Sequence, residues 1–230
     1  MCIKSKILNV EELENQQLFN EKISIIPNHG YWKLRKNKIE KYVFLSDKML
    51  SLGASLLLLS IFTKYGKASD KIELNEFGKP FLVTDDFKFN LSHSGNYVVC
   101  SYGDEECGID IENYKNGDLE IANRFFDKNE AALVENEGVD MFIRLWTLKE
   151  SYIKEKGDGL HIPLNSFRII PGTIKMNRSK EMNLIPAISE QSCVVADKKY
   201  NFAEFKIDNF HISVCSKGNI ENYIEIADLF

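Results

Sequence analysis

Asp110 and Glu112 stand two residues apart in the pentapeptide Gly108-Ile109-Asp110-Ile111-Glu112, and a third acid, Glu150, follows 38 positions after Glu112. In a strand, residues i and i+2 share a face. The two acids would then stand side by side, with Ile109 and Ile111 on the opposite face. Like charges that close repel, so the pair is expected either on an exposed edge-strand face or around a shared cation. Joined by Glu150, the three acids would offer only hard oxygen ligands, which suit Mg2+ or Mn2+ rather than zinc or copper. Mg2+ usually completes its octahedron with water and substrate phosphate. Glu150 taken alone reads instead as the i, i+4 ion-pair partner of Lys154.

Cations are gathered elsewhere. Between residues 31 and 48 lie Lys33, Arg35, Lys36, Lys38, Lys41 and Lys48 against only Glu40 and Asp47. This stretch concentrates positive field in an acidic chain, and it also reads as a solvated helix face. With Lys79, His93 and Lys154 it would suit a polyanion larger than one phosphate. A hydrolase alternative would use Ser92, Ser94 or Cys107 as nucleophile and His93 as base. The segment lacks the G-x-S-x-G elbow, and no acid is placed to orient the histidine.

The elements that must position these groups follow from pattern. Residues 1–10 read as a strand and 11–24 as a helix. A further helix runs from Asp47 to near Gly66, and Gly78 before Lys79-Pro80 marks a turn. Residues 87–113 read as strands broken at Ser92–Gly95, with Gly103–Glu106 as a hairpin turn into the strand of Asp110. Residues 119–135 read as a helix, with Asp127 and Glu130 in capping-box spacing. The clearest helix begins at Met141. Met141, Phe142, Leu145, Trp146, Lys149, Tyr152 and Ile153 fall on one broad arc at 100° per residue. Glu150 and Lys154 lie beside that arc, Trp146 is read as core, and Gly157 and Gly159 stop the helix. The tail is strand-like, with loops between about 171 and 190. "NYVVCSYGDEECGIDIE" and "FHISVCSKGNIENYIEI" share a β run, a glycine turn and a second apolar run.

Composition bounds the possibilities. The chain has 230 residues, 44% hydrophobic and 27% charged, which fits a globular protein of one large domain or two lobes. A net charge of −5 argues against a general nucleic-acid binder. Five scattered cysteines with no CxxC pair argue against a zinc or redox motif and for free thiols in a reducing cytoplasm. The N-terminus turns polar too early for a signal peptide. The longest apolar run, Leu56–Leu59, is too short to span a bilayer, so no membrane partner is expected.

Four segments then occur in order: Gly78-Lys79-Pro80, "FNLSHSG" at 89–95, "GIDIE" at 108–112 and "WTLKESYIKEKGDGL" at 146–160. Together they resemble the 4′-phosphopantetheinyl transferases of the Sfp type. That family shows GKP, F-N-[IL]-S-H-S, G-[IV]-D-I-E and W-x-x-K-E-[SA]-x-x-K-x-x-G-x-G-L. The resemblance implies an α/β (α+β) fold of two similar lobes related by a pseudo-twofold axis, here 1–104 and 105–230, and a monomer. It implies Mg2+-dependent transfer of the 4′-phosphopantetheine arm of coenzyme A to a serine of an acyl or peptidyl carrier protein, releasing adenosine 3′,5′-bisphosphate.

Residue roles follow from the same likeness. Asp110, Glu112 and Glu150 would hold Mg2+, with Mn2+ as the alternative ion, against the coenzyme A pyrophosphate. Lys154 would contact the α-phosphate and Glu150 would serve as base. Lys79 and Pro80 would lie beside the nucleotide, and Ser92 and His93 would contact the 3′-phosphate. Arg35 and Lys38 match the upstream phosphate-binding cations, with Lys36 or Lys48 as alternatives. Lys149 would orient Glu150 or a phosphate. Parts of 31–48 and 113–126 are candidates to meet the carrier protein; Phe125 and Phe126 there are read as core, with exposed anchors as the alternative.

Overall fold

The structure, a computed structural model, describes residues 2–83, 87–157, 161–174, 183–188, 194–195 and 200–229. Gly159, Cys193 and much of the expected 171–190 loop lie outside the described residues. The elements are β1 (Lys4–Asn9), α1 (Gln16–Ser24), α2 (Gly30–Lys41), α3 (Leu45–Lys64), β2 (Ile72–Leu74), β3 (Pro80–Leu82), β4 (Lys88–Ser94), β5 (Tyr97–Gly103) and β6 (Cys107–Asn113). They continue as α4 (Leu119–Phe125), α5 (Lys128–Glu137), α6 (Val139–Lys156), β7 (Ile169–Ile170), β8 (Leu184–Pro186), β9 (Val194–Val195), β10 (Asn201–Ile207), β11 (Phe210–Ser216) and β12 (Tyr223–Ala227).

A repeat runs through this order. β1, the long helix α3 and the hairpin β4–β5 are followed by β6, the long helix α6 and the hairpin β10–β11. In each half the first strand pairs antiparallel with the second hairpin strand, as at Lys6↔Cys100 and Asp110↔Ser213. Both hairpins turn tightly through a residue of positive φ, Gly95 at 57° and Asp208 at 48°. The sequence echo spans β5–β6 and β11–β12 and coincides with this repeat only in β5 and β11. The chain therefore builds two similar α/β lobes. The larger sheet has the order β4-β5-β1-β12-β8, with β12 parallel to β1, and the smaller is β10-β11-β6.

Strand alternation sorts the side chains into layers. In β5, Val98, Cys100 and Tyr102 join the core under α1–α3, whereas Val99 joins Ile7, Ile109, Ile111, Ile212 and Val214 in a second core. Seating Ile109 and Ile111 there turns Gly108, Asp110 and Glu112 to the other face of β6, towards α6.

Three expectations are corrected by this packing. Residues 103–106 do not form a hairpin, because β5 already has β1 and β4 on its two edges and β6 must leave for the other sheet. The helix expected at 119–135 is two, α4 and α5, and the Asp127–Glu130 capping box starts the second. The third concerns α3, which at 20 residues is long and apolar enough to cross a membrane. Small residues such as Ser51, Gly53, Ala54 and Ser55 extend its apolar character beyond Leu56–Leu59. Most of it is buried within the protein, one of the two settings of a helix apolar on all sides.

Candidate active site

Gly108 decides how closely strand and helix approach. A Cβ built there would lie 2.0 Å from the Ser151 carbonyl oxygen and 2.5 Å from the Glu155 amide nitrogen, so only glycine lets α6 lie against β6. Trp146, Glu150 and Lys154 follow at i, i+4 and i+8 on α6 and share one face. With Leu91, Ser92 and His93 of β4, and Asp110 and Glu112 of β6, they line a cavity of about 360 Å3.

β4 and β6 are edge strands of different sheets, and side chains join them. Asn90 Oδ1 accepts the Ile109 amide at 3.0 Å, Ser92 Oγ donates to Asp110 Oδ1 at 2.9 Å, and Ser94 Oγ donates to Glu112 Oε2 at 3.2 Å. Asn90, Ser92 and Ser94 alternate along β4, so one face of the strand supplies all three links. Lys154 Nζ donates to Asp110 Oδ1 at 2.6 Å and to Ser92 Oγ at 2.9 Å. The expectation of an exposed acid pair gives way: Asp110 is only 3% exposed.

Two carboxylate oxygens in this buried setting, Asp110 Oδ2 and Glu150 Oε1, have no hydrogen-bond partner among the described residues. A buried acceptor without a partner is costly, and a hard cation would satisfy both oxygens. Among the described residues no three acids, histidines or cysteines close into a metal cage. The Lys154 ammonium sits on Asp110 instead. Such an open set fits an ion that takes further ligands from water and phosphate, as Mg2+ does.

The electrostatics agree. Burial first, and then the Asp110 charge, raise Glu150 from the ordinary 4.5 to about 7. The same two causes in the same order raise Glu112. Burial, and then the Lys154 and Arg35 cations, lower His93 and favour its neutral form. A carboxylate raised on folding contributes stability that is full below its unfolded value and is lost as pH rises through about 7. We therefore expect the melting temperature without divalent ion to fall between pH 5.5 and pH 8. Mg2+ should raise it more at pH 8 than at pH 5.5, and Glu150→Gln should flatten both trends. Equal Mg2+ stabilisation at the two pH values would contradict this account of Glu150.

Other expected site residues are not all brought to the cavity. Lys79 Nζ donates to the Lys154 carbonyl at 2.8 Å and pairs with Glu106 at 3.2 Å, so its charge sits at the C-terminal carbonyls of α6. Pro80 opens β3 beside it. Arg35 donates to the Ser51 carbonyl at 2.9 Å, and its field reaches His93. Lys38 is exposed, 5.7 Å from the Tyr42 ring centroid.

Lys149 corrects an expectation outright. It orients neither Glu150 nor a phosphate: fully buried, it lies 2.8 Å from Glu130 and donates to the Leu164 and Phe167 carbonyls at 2.8 and 2.9 Å. Trp146, expected in the core, is half-buried and lines the cavity while stacking on Phe142. Ser94 was missed as a contact to the acids. Its signal was the i, i+2 spacing of Ser92 and Ser94, which matches that of Asp110 and Glu112.

Comparison with known proteins adds relatives to this geometry. A family model described as "4'-phosphopantetheinyl transferase superfamily" matches residues 106–215, and one described as "4'-phosphopantetheinyl transferase, N-terminal" matches residues 15–103. The chain is similar to the 4′-phosphopantetheinyl transferase gsp of Aneurinibacillus migulanus, at 40% identity over 60% of each chain. It is similar to the 4′-phosphopantetheinyl transferase Sfp of Bacillus subtilis (strain 168), at 36% identity over 59% of this chain and 64% of that one. A third relative, 4′-phosphopantetheinyl transferase psf-1 of Bacillus pumilus, is 35% identical over 68% of each chain. The match thus spans less than two thirds of the length of the first two relatives.

Proposed function

The chain belongs to the 4′-phosphopantetheinyl transferase superfamily, and from that premise we propose that it transfers the 4′-phosphopantetheine arm of coenzyme A to a serine of an apo carrier protein. The serine oxygen attacks the phosphorus that bears the pantetheine arm. The new P–O bond forms as the bridging pyrophosphate bond breaks, and adenosine 3′,5′-bisphosphate leaves. The observation that carries this reading is the pair of buried oxygens without a partner among the described residues, Asp110 Oδ2 and Glu150 Oε1, in the cavity that Lys154 also lines.

Asp110, Glu112 and Glu150 would hold Mg2+ or Mn2+. When bound, the ion supplies positive charge against the pyrophosphate oxygens. Glu150, which lines the cavity beside Asp110 and Lys154, would take the serine proton. Lys154 carries a charge to the leaving phosphate. Neutral His93, which lines the cavity, can donate an N–H to the 3′-phosphate. The exposed Phe125 offers an apolar contact for the carrier protein. We place the reaction in a reducing cytoplasm, consistent with Cys2, Cys100 and Cys107 being free thiols among the described residues. The test is mass spectrometry of an apo carrier protein incubated with the enzyme, coenzyme A and Mg2+, which should show one added phosphopantetheine.

A further inference from the structure

Ser94 is buried, and its Oγ donates to Glu112 Oε2 at 3.2 Å. Asn116 Nδ2, on the turn after β6, donates to the same oxygen at 3.2 Å. Both bonds fall on one oxygen, and Glu112 Oε1 has no hydrogen bond among the described residues. The neighbouring pair is built differently: Ser92 Oγ is shared between Asp110 and Lys154, so Asp110 is also held by an ammonium. Glu112 lies further along the strand on a longer side chain, with more rotamer freedom to lose. The hydroxyl and the amide are what restrain it.

We infer that Ser94 is a positioning residue, which with Asn116 fixes the Glu112 carboxylate so that Oε1 is left for a divalent cation. This rests on the metal-site reading of the cavity. Ser94 would not touch the ion or the substrate. It acts through Glu112, as partners of metal-ligating carboxylates do, and loss of such a partner typically costs 10- to 100-fold in metal affinity.

The test titrates Mn2+ into the full-length protein and follows the free ion by electron paramagnetic resonance. Ser94→Ala is expected to weaken Mn2+ binding about tenfold. Asn116→Ala, on an exposed turn, should weaken it in the same direction but less. Ser94→Thr keeps the hydroxyl and should restore affinity, a rescue that a purely structural role would not produce. Wild-type Mn2+ affinity in both alanine variants would overturn the inference. If Ser94→Ala does not fold, Asn116→Ala decides, and unchanged affinity there has the same force. Failure of the unsubstituted protein to bind Mn2+ would overturn the metal reading and this inference together, whereas wild-type binding with unaffected variants overturns this inference alone.

Discussion

Asp110→Asn is expected to lower the rate of phosphopantetheine transfer by on the order of 1000-fold or more while the protein stays folded. The substitution keeps the shape of the side chain and removes the charge. In the folded protein that charge has one oxygen bonded to Ser92 and Lys154 and the other unpartnered in a buried setting. Its removal relieves the repulsion that raises Glu112 and Glu150. The melting temperature without divalent ion should therefore hold or rise, as happens where a site is kept for function at a cost in stability. Steady-state transfer rates and thermal melts on one preparation check both halves. A variant that transfers at the wild-type rate would contradict the role of Asp110.

Lys149→Met should do the reverse, costing stability and leaving substrate contacts intact. Lys149 and Glu130 are both fully buried, 2.8 Å apart, and the ammonium also sits 4.1 Å from the centroid of the Phe167 ring. Glu130 in turn accepts the Asp127 and Ile169 amides. One pair thus ties α6 to the start of α5 and to the strand at Ile169. Breaking a buried ion pair from one side leaves an uncompensated charge and costs about 3–5 kcal/mol. For a chain of this size that is a fall in melting temperature on the order of 10 °C. Adding Glu130→Gln should recover part of the loss, because the stranded charge is gone. Urea denaturation measures the stability, and the KM for coenzyme A separates the two roles. A raised KM with unchanged stability would mean that Lys149 contacts a phosphate after all.

How far the site was legible differs from residue to residue. The face shared by Asp110 and Glu112 followed from strand alternation, and the face shared by Glu150 and Lys154 from helical spacing; the structure keeps both. Lys149 was legible in the pattern and misassigned by resemblance. It falls on the apolar arc with Met141 and Tyr152, about 140° from Lys154 around the helix, which is the geometry of a buried lysine. Trp146 stands one turn before Glu150 on the same face, so its place in the cavity was also available from spacing.

The seam between the lobes was not legible. Each of β4 and β6 reads as an ordinary strand, and nothing local says that two edge strands will meet through Asn90, Ser92 and Ser94 rather than through backbone pairing. The same holds for the connection from β5 to β6. A glycine turn between two strand patterns implies a hairpin only if the first strand has a free edge, and that depends on β1, nearly a hundred residues earlier in the chain. Lys79 shows the complementary limit. Its position in a motif implied a nucleotide contact, but the carbonyls that hold it belong to a helix end 75 residues away.

The intact mass of a purified apo carrier protein reads the proposed transfer. It is incubated with the wild-type enzyme or the Asp110→Asn variant, in coenzyme A with Mg2+ or with chelator. One phosphopantetheine is expected at the carrier's serine with wild-type enzyme and Mg2+, and no addition with the variant or with chelator on the same time scale. Unmodified carrier across acyl and peptidyl carrier proteins, with coenzyme A hydrolysed in its place, would contradict it.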